Sequence, residues 1–523
     1  MRSRYKAVFF ISLVFLILSA CTSVQGGEAT AQASVATSAA VQLATLVQKT
    51  LAARPTHTPI PPTATLTPTV LASDTPTVTP EANPTAQRPH YTLDIDFSYD
   101  SHYGSVNEQI VYTNTSKDPL SELCLMVEMM SYQGVFSLKG ITWQDGQAVD
   151  SVTWNNVQAR FPLRQPLQPG ESIQLNLSYE FQLPSQSSLN SDRPLPIAYT
   201  ARQSNLVDWF PFIPPYRSGE GWVAHPPSYY GEHLVYDLAN FDVSLHFTDA
   251  RKDLIVAASA AAQTDGDLLR YHLEGARTFA LSIGSEYQTA SMRSGNVEVT
   301  SYFFPMTESA GQAALKTSVE ALELYQQLFG PYPHDTLAVV EADFLDGMEY
   351  DGLYFSSKAF YNQYNGKSED FLVAIAAHET SHQWWFATIG NDQATEPWLD
   401  EALATYMEKL YYEHYAPDAV QWWWDFRVDY YHPTGWVDNS VYGPEGAAQT
   451  YQQYRNAVYL NGAHFLEDLR QAIGDDAFFA FLKDYATQYA GKIARTQDFF
   501  DVLRQHTQAD LAPLMTKYFQ TQH

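Results

Sequence analysis

Between residues 90 and 290 apolar and polar positions alternate in short runs, such as "YTLDIDFSYD", "SIQLNLSYEFQL", "FDVSLHFT" and "LLRYHLEG", with Gly, Pro, Asp and Asn between them. A period of two puts successive side chains on opposite faces, so these runs predict half-buried strands of an antiparallel β domain. Within that stretch "WFPFIPPYRSGEGWVAHPPSYYG", residues 209–231, carries too many Pro and Gly for regular structure and predicts a long ordered loop. After about Gly295 the period changes. "VEVTSYFFP" and "TLAVVEADF" still read as strands, whereas "AALKTSVEALELYQQLFG" has apolar residues at helical spacing and stops at Gly330. Helices are predicted over residues 371–389, over about 399–415, and through "VYLNGAHFLEDLRQAIGDDAFFAFLKDYATQY" and "TQDFFDVLRQHTQADLAPLMTKYFQ". The second half is therefore α+β.

The N-terminal 89 residues follow neither period. "MRSRYKAVFFISLVFLILSAC" has basic residues, then an apolar run, then Leu18-Ser19-Ala20-Cys21, which is the layout of an export signal. Thirteen apolar or small residues are too few to cross a hydrocarbon core as a helix. The ending resembles the lipobox of bacterial lipoproteins, which implies that residues 1–21 are a lipoprotein signal peptide and that Cys21 is acylated and anchors the chain to a membrane. The expected location is the extracytoplasmic face of a bacterial cell envelope. Residues 22–89 are rich in Ala, then in Thr and Pro, and predict a stalk without a core. Cys124 is then the remaining cysteine and is expected to be a small buried hydrophobe.

The chain of 523 residues has 45% hydrophobic and 14% aromatic residues, enough for more than one packed core. Acidic residues outnumber basic ones 58 to 30, and a net charge of -28 argues against nucleic acid as a partner.

The chemistry concentrates in "AIAAHETSHQWWF", residues 374–386. On a helix His378 and His382, four residues apart, share a face and can point two imidazoles at one ion. Glu379 lies about a third of a turn round, where it can reach the open side of the ion as a general base without becoming a ligand. A catalytic zinc site takes three protein ligands, and Glu401 in "EPWLDEALATYMEKL", on the next predicted helix, is the nearest strong candidate. The intervening "IGNDQATEP" holds Gly390, Asn391 and Pro397 to turn the chain back. The ion implied is one Zn2+ per chain.

HETSH, eighteen residues, then Glu401 within "WLDEALATY" resembles the HExxH-x18-E signature of the M1 (gluzincin) metallopeptidases, the zinc aminopeptidases. "DGMEYDGL", residues 346–353, resembles the GxMEN motif of that family, "VYLNGAHFLEDLRQAIGDDAFFAFLKDY" its tyrosine-bearing helix, and "FALSIGSEY" the end of its N-terminal β domain. The likeness covers about residues 90–523. It implies an α+β multidomain fold, with an N-terminal antiparallel, β-sandwich-like saddle domain over 90–290. A thermolysin-like, mostly helical zinc peptidase domain with a small sheet would follow over 291–523. It also implies His378, His382 and Glu401 as zinc ligands, Glu379 as base, and Tyr459 as the phenol that stabilises the oxyanion. Gly347, Met348 and Glu349 would contact substrate, Glu349 by pairing with the free α-amino group of a peptide.

The sequence departs from the family pattern at Asp346, Gly347 and Tyr350 in GxMEN, at Asp400 before the ligand Glu, and at Asn461 in the tyrosine motif. These changes bear on the substrate-end pocket and leave the zinc set intact. The chain ends at His523, so the large C-terminal helical domain of many members is expected to be absent and the cleft more open. The reading is a zinc aminopeptidase acting on peptides outside the cytoplasm. The alternatives are an endopeptidase with the same zinc site and an inactive anchored protein that binds peptide or carbohydrate, with "QWWWDFRVDYYHPTGW", residues 421–436, as its aromatic surface.

Overall fold

A computed structural model describes residues 88–186, 196–229, 231–443 and 449–521. The signal segment, Cys21 and almost all of the stalk lie outside the described residues.

The alternating runs form strands. In β1 (His90–Ser98) Tyr91, Leu93, Ile95 and Phe97 are buried while Asp94 and Asp96 are exposed, as a period of two requires. Burying each such aliphatic or aromatic side chain stabilises the fold by about 1.5–3 kcal/mol. With β2 (Tyr103–Thr113), β3 (Phe136–Trp143), β4 (Ser172–Gln182), β5 (Ala239–Phe247), β6 (Gln263–Asp265) and β7 (Leu268–Ala276) it builds a seven-stranded sheet, ordered β6-β7-β5-β1-β2-β4-β3. Neighbouring strands are antiparallel except at the centre, where β1 and β5 run parallel with Leu93 opposite Val243. Two three-stranded sheets complete this part, and Cys124 is buried in one of them as a free thiol. Residues 209–229 form the predicted loop as far as they are described, relieved by a two-residue ribbon pairing Tyr216–Arg217 with Gly221–Trp222.

The second part has a five-stranded sheet of β8 (Gln288–Ser294), β9 (Val297–Phe303), β10 (Thr336–Ala342), β11 (Gly347–Tyr350) and β12 (Leu353–Ser357), ordered β8-β9-β10-β12-β11. Helix α1 (Glu308–Phe329) crosses between the parallel strands β9 and β10 and ends at Gly330, whose φ of 109° no other residue adopts easily. Two helices carry the metal-ligand candidates, α2 (Phe371–Ser381) and α3 (Trp398–Tyr415). The Tyr325 hydroxyl on α1 donates to the carbonyls of Ala377 and Met407, both at 3.1 Å, and so ties α2 to α3. Among the described residues no helix is long and apolar enough to cross a membrane.

Helix α2 is shorter than its apolar run predicts. It stops at Ser381 rather than near residue 389, because Trp384 and Trp385 turn inward to pack on Tyr325 and Phe329, and Phe386 takes a φ of 146°. The shortened helix still includes the turn that aligns His378 with His382.

The two parts are joined through Arg277. Its buried guanidinium donates to the carbonyls of Tyr236, Phe386, Ala387, Thr388 and Lys492, and the lack of a side chain at Gly390 leaves it room.

Candidate metal centre

Asp370 caps α2 by accepting from the Leu372 amide at 2.9 Å, and the helix then runs through an almost wholly buried face to His378 and His382. Their Nε2 atoms lie 3.1 Å apart, and Glu401 Oε2, on the facing helix, lies 3.3 Å and 3.7 Å from them. The other ring nitrogen of each histidine is engaged. His378 Nδ1 is 2.9 Å from Glu408 Oε1, and His382 Nδ1 is 2.9 Å from the Trp385 carbonyl. Both of those partners only accept, so the protons sit on Nδ1 and the two Nε2 atoms face each other as bare acceptors. Glu401 Oε2 is buried and accepts no hydrogen bond. Three acceptors that converge with no donor between them make a receptor for a cation, and two imidazoles with one carboxylate suit zinc.

The support behind the histidines is also in place. Glu408 accepts two bonds from Arg427, at 2.9 and 2.8 Å, and one from the Trp423 indole at 2.8 Å. Burial alone would raise its pKa, but Arg427 and His378 outweigh it and hold Glu408 below the usual carboxylate range. His382 is pushed well below the usual imidazole range by burial and by His378, which keeps its Nε2 free to coordinate.

Glu379 sits beside the convergence point with Oε2 buried and unbonded, and burial, with the charges of Glu349 and Glu401, raises its pKa well above normal. A Cβ at Gly347 would fall 1.9 Å from Glu379 Oε1, so a side chain at this position would require that carboxylate to shift. Glu349 comes from the same strand and faces the same space, where Glu349, Glu379 and His382 offer a second convergent set. Its Oε1 accepts from Gln393 Nε2 at 3.3 Å, and burial, with Glu232 and Glu401 nearby, raises its pKa well above normal.

Side chains alternate along β11, and Met348 accordingly packs against the core of the first part, leaving its main chain as what it can offer a ligand. Tyr350 is on that same side and its hydroxyl lies 3.4 Å from Asp208, so the Asn-to-Tyr departure points away from Glu349. The Tyr459 hydroxyl donates to Glu401 Oε1 at 2.5 Å, from a π-helical turn, Asn456–Leu460. Of the residues singled out in the sequence, His378, His382, Glu401, Glu379, Glu349, Gly347 and Tyr459 are brought together.

Sequence reasoning missed Glu408, Arg427, Gln393 and Glu232. Glu408 and Gln393 lie close to the motif and a search for histidine-orienting carboxylates would have found Glu408. Glu232 follows the long loop of the first part, and its charge helps to raise Asp400, pushed up to about 8 chiefly by burial.

Residues 313–518 match the Peptidase family M1 domain. Over 229 residues the chain is 28% identical to aminopeptidase M1-D of Oryza sativa subsp. japonica, covering 40% of this chain and 26% of that protein. It is 27% identical over 233 residues to endoplasmic reticulum aminopeptidase 1 of Mus musculus, covering 42% and 25%. The chain thus spans about a quarter of the length of the curated relatives it matches. Among solved structures, the M1 zinc metallopeptidase of Deinococcus radiodurans superimposes with a TM-score of 0.58 at 19% identity, over 84% of this chain and 95% of that one, and shares the two-part architecture.

Proposed function

We propose that the chain is a zinc aminopeptidase that hydrolyses the first peptide bond of peptides with a free N-terminus. The observation that carries this is the convergence of His378 Nε2, His382 Nε2 and Glu401 Oε2 as bare acceptors beside the unbonded carboxylate of Glu379. A Zn2+ held by His378, His382 and Glu401 would supply Lewis acidity, polarising the scissile carbonyl and lowering the pKa of a water toward about 7.

Glu379 takes the proton of the attacking water and returns it to the leaving amine. Tyr459, released from Glu401, donates a hydrogen bond from its phenol to the oxygen on which negative charge develops. Glu349 binds the α-ammonium, with Gln393 fixing its carboxylate. That buried acid supports exopeptidase over endopeptidase action, because its counter-ion must come from the substrate. A neighbouring solved structure, a mutant of the Deinococcus radiodurans enzyme, holds a Tyr-Ser-Ala substrate, which supports peptides as the substrate class.

The test is Glu379→Gln on aminoacyl amides. Hydrolysis is expected to fall by about 10^2- to 10^4-fold with metal content unchanged, the range of a general base. Undiminished hydrolysis with metal bound would falsify the assignment. Free and N-acetylated forms of one peptide separate exo- from endopeptidase action, and equal cleavage of both refutes the role of Glu349.

We also propose that Cys21 is acylated and holds the enzyme on the outer side of a membrane, supported by the apolar run ending Leu18-Ser19-Ala20-Cys21. Mass spectrometry of the mature N-terminus tests it, and an unmodified Cys21 would reject it.

A further inference from the structure

We propose that Arg455 receives the C-terminal carboxylate of short substrates, so that the site prefers peptides of two or three residues ending inside the cleft; this rests on the aminopeptidase reading above. Tyr451, Arg455 and Tyr459 follow one another at four-residue intervals through the helical turn Tyr451–Arg455 and the π-helical turn Asn456–Leu460. Residues so spaced fall on one side of a helix. The two tyrosines fix which side that is, since Tyr459 donates to Glu401 Oε1 at 2.5 Å and Tyr451 to Asp346 Oδ2 at 3.0 Å.

Arg455 stands between them. Its guanidinium carbon is 4.1 Å from the centroid of the Tyr431 ring, and Nη2 donates to Asn456 Oδ1 at 3.1 Å. Its buried Nε donates to nothing, and it makes no ion pair among the described residues, in a chain with 58 acidic ones. Arg427, by contrast, is committed to Glu408 through two bonds.

The direction of a bound peptide follows from β11, the edge strand of its sheet and a surface to which an extended chain can add. Glu349 marks the amine end. Gly347, two residues back, lies against Glu379 and so marks the scissile bond. Asp346 comes next and is tied to Tyr451, one helical turn or about 5.4 Å from Arg455. At roughly 3.3 Å per residue, the second or third residue of a peptide draws level with the Asp346 end. Asp346, Glu349, Glu379 and Glu401 make these walls acidic, so an anionic terminus needs a cation there. The planar fork of an arginine pairs a carboxylate through two bonds.

The experiment compares kcat/KM for a tripeptide with a free carboxylate and for its C-terminal amide, in wild type, Arg455→Lys and Arg455→Met. Wild type is expected to favour the acid by about 10-fold or more, chiefly through KM, as for a hydrogen-bonded charge pair. The ratio should shrink in Arg455→Lys, approach one in Arg455→Met, and fall with added salt in wild type. A wild-type ratio near one, or a ratio unchanged in Arg455→Met, overturns the proposal; continued cleavage of the amide then leaves the aminopeptidase reading standing. No hydrolysis of either peptide by zinc-loaded wild type overturns both. If Arg455→Met does not fold, the wild-type ratio and the lysine variant decide.

Discussion

Glu401 and Glu408 lie two turns apart on α3, both are buried, and both reach His378, one at Nε2 and the other at Nδ1. Glu408 has every oxygen occupied, by Arg427, Trp423 and His378, and its pKa is held down despite burial. Glu401 has Tyr459 on one oxygen and nothing on the other, and burial, with the charges of Asp400 and Glu232, raises its pKa well above normal. Burial is common to both. The difference is a cation supplied by the chain itself, which Glu408 has and Glu401 lacks. A buried carboxylate whose counter-charge is internal is scaffold, and one whose counter-charge must come from outside is a binding site.

The contrast can be broken most severely at Glu401. Glu401→Gln removes the anionic ligand and is expected to cost about 10^3-fold or more in kcat/KM, the several kcal/mol that metal chemistry supplies, together with stoichiometric zinc measured by metal analysis. Retained zinc and activity would mean that Glu401 is not a ligand. Gly347→Ala tests the neighbouring base with the ligands untouched. Shifting the Glu379 carboxylate should lower kcat, by at most about 10^2-fold, the lower end for general-base loss, at normal zinc content. Wild-type turnover would show that the contact relaxes harmlessly.

Glu408→Gln acts from behind the histidine. Zinc affinity should weaken by about 10- to 100-fold in competition with a chelator, as for other orienting carboxylates. An unaltered affinity would reduce Glu408 to a packing role. The mildest measurement is thermal melting before and after chelation. Bound zinc at 100 times its Kd adds about 2.7 kcal/mol, so the wild type should lose several degrees on chelation. Glu401→Gln should lose none, and an equal loss in both would dissolve the distinction between the two glutamates.

How much of this was legible beforehand follows from range along the chain. The ligand set, the base and their helices could be read because HExxH fixes three residues on one turn and Glu401 follows on the next helix. The strands of the first part were legible from alternation, but their order was not. β1 pairs with β5 across about 150 residues, and a period of two carries no information on partners. Helix α2 was overestimated because an apolar run does not reveal that Trp384 and Trp385 pack better turned inward than in helical register. Arg427 was invisible for a related reason: it reaches Glu408 from a π-helical turn, Trp423–Val428, whose spacing no helical template anticipates.

Arg277 carries a consequence for anyone dissecting the molecule. It precedes the stretch that matches the family model, residues 313–518, yet its guanidinium donates to carbonyls at Phe386, Ala387 and Thr388, immediately after the histidine motif. An excised fragment beginning at residue 313 would lose the Arg277 hydrogen bonds to those oxygens. The family-model match is therefore shorter than the packed unit, and a boundary drawn at residue 313 would cut through that unit.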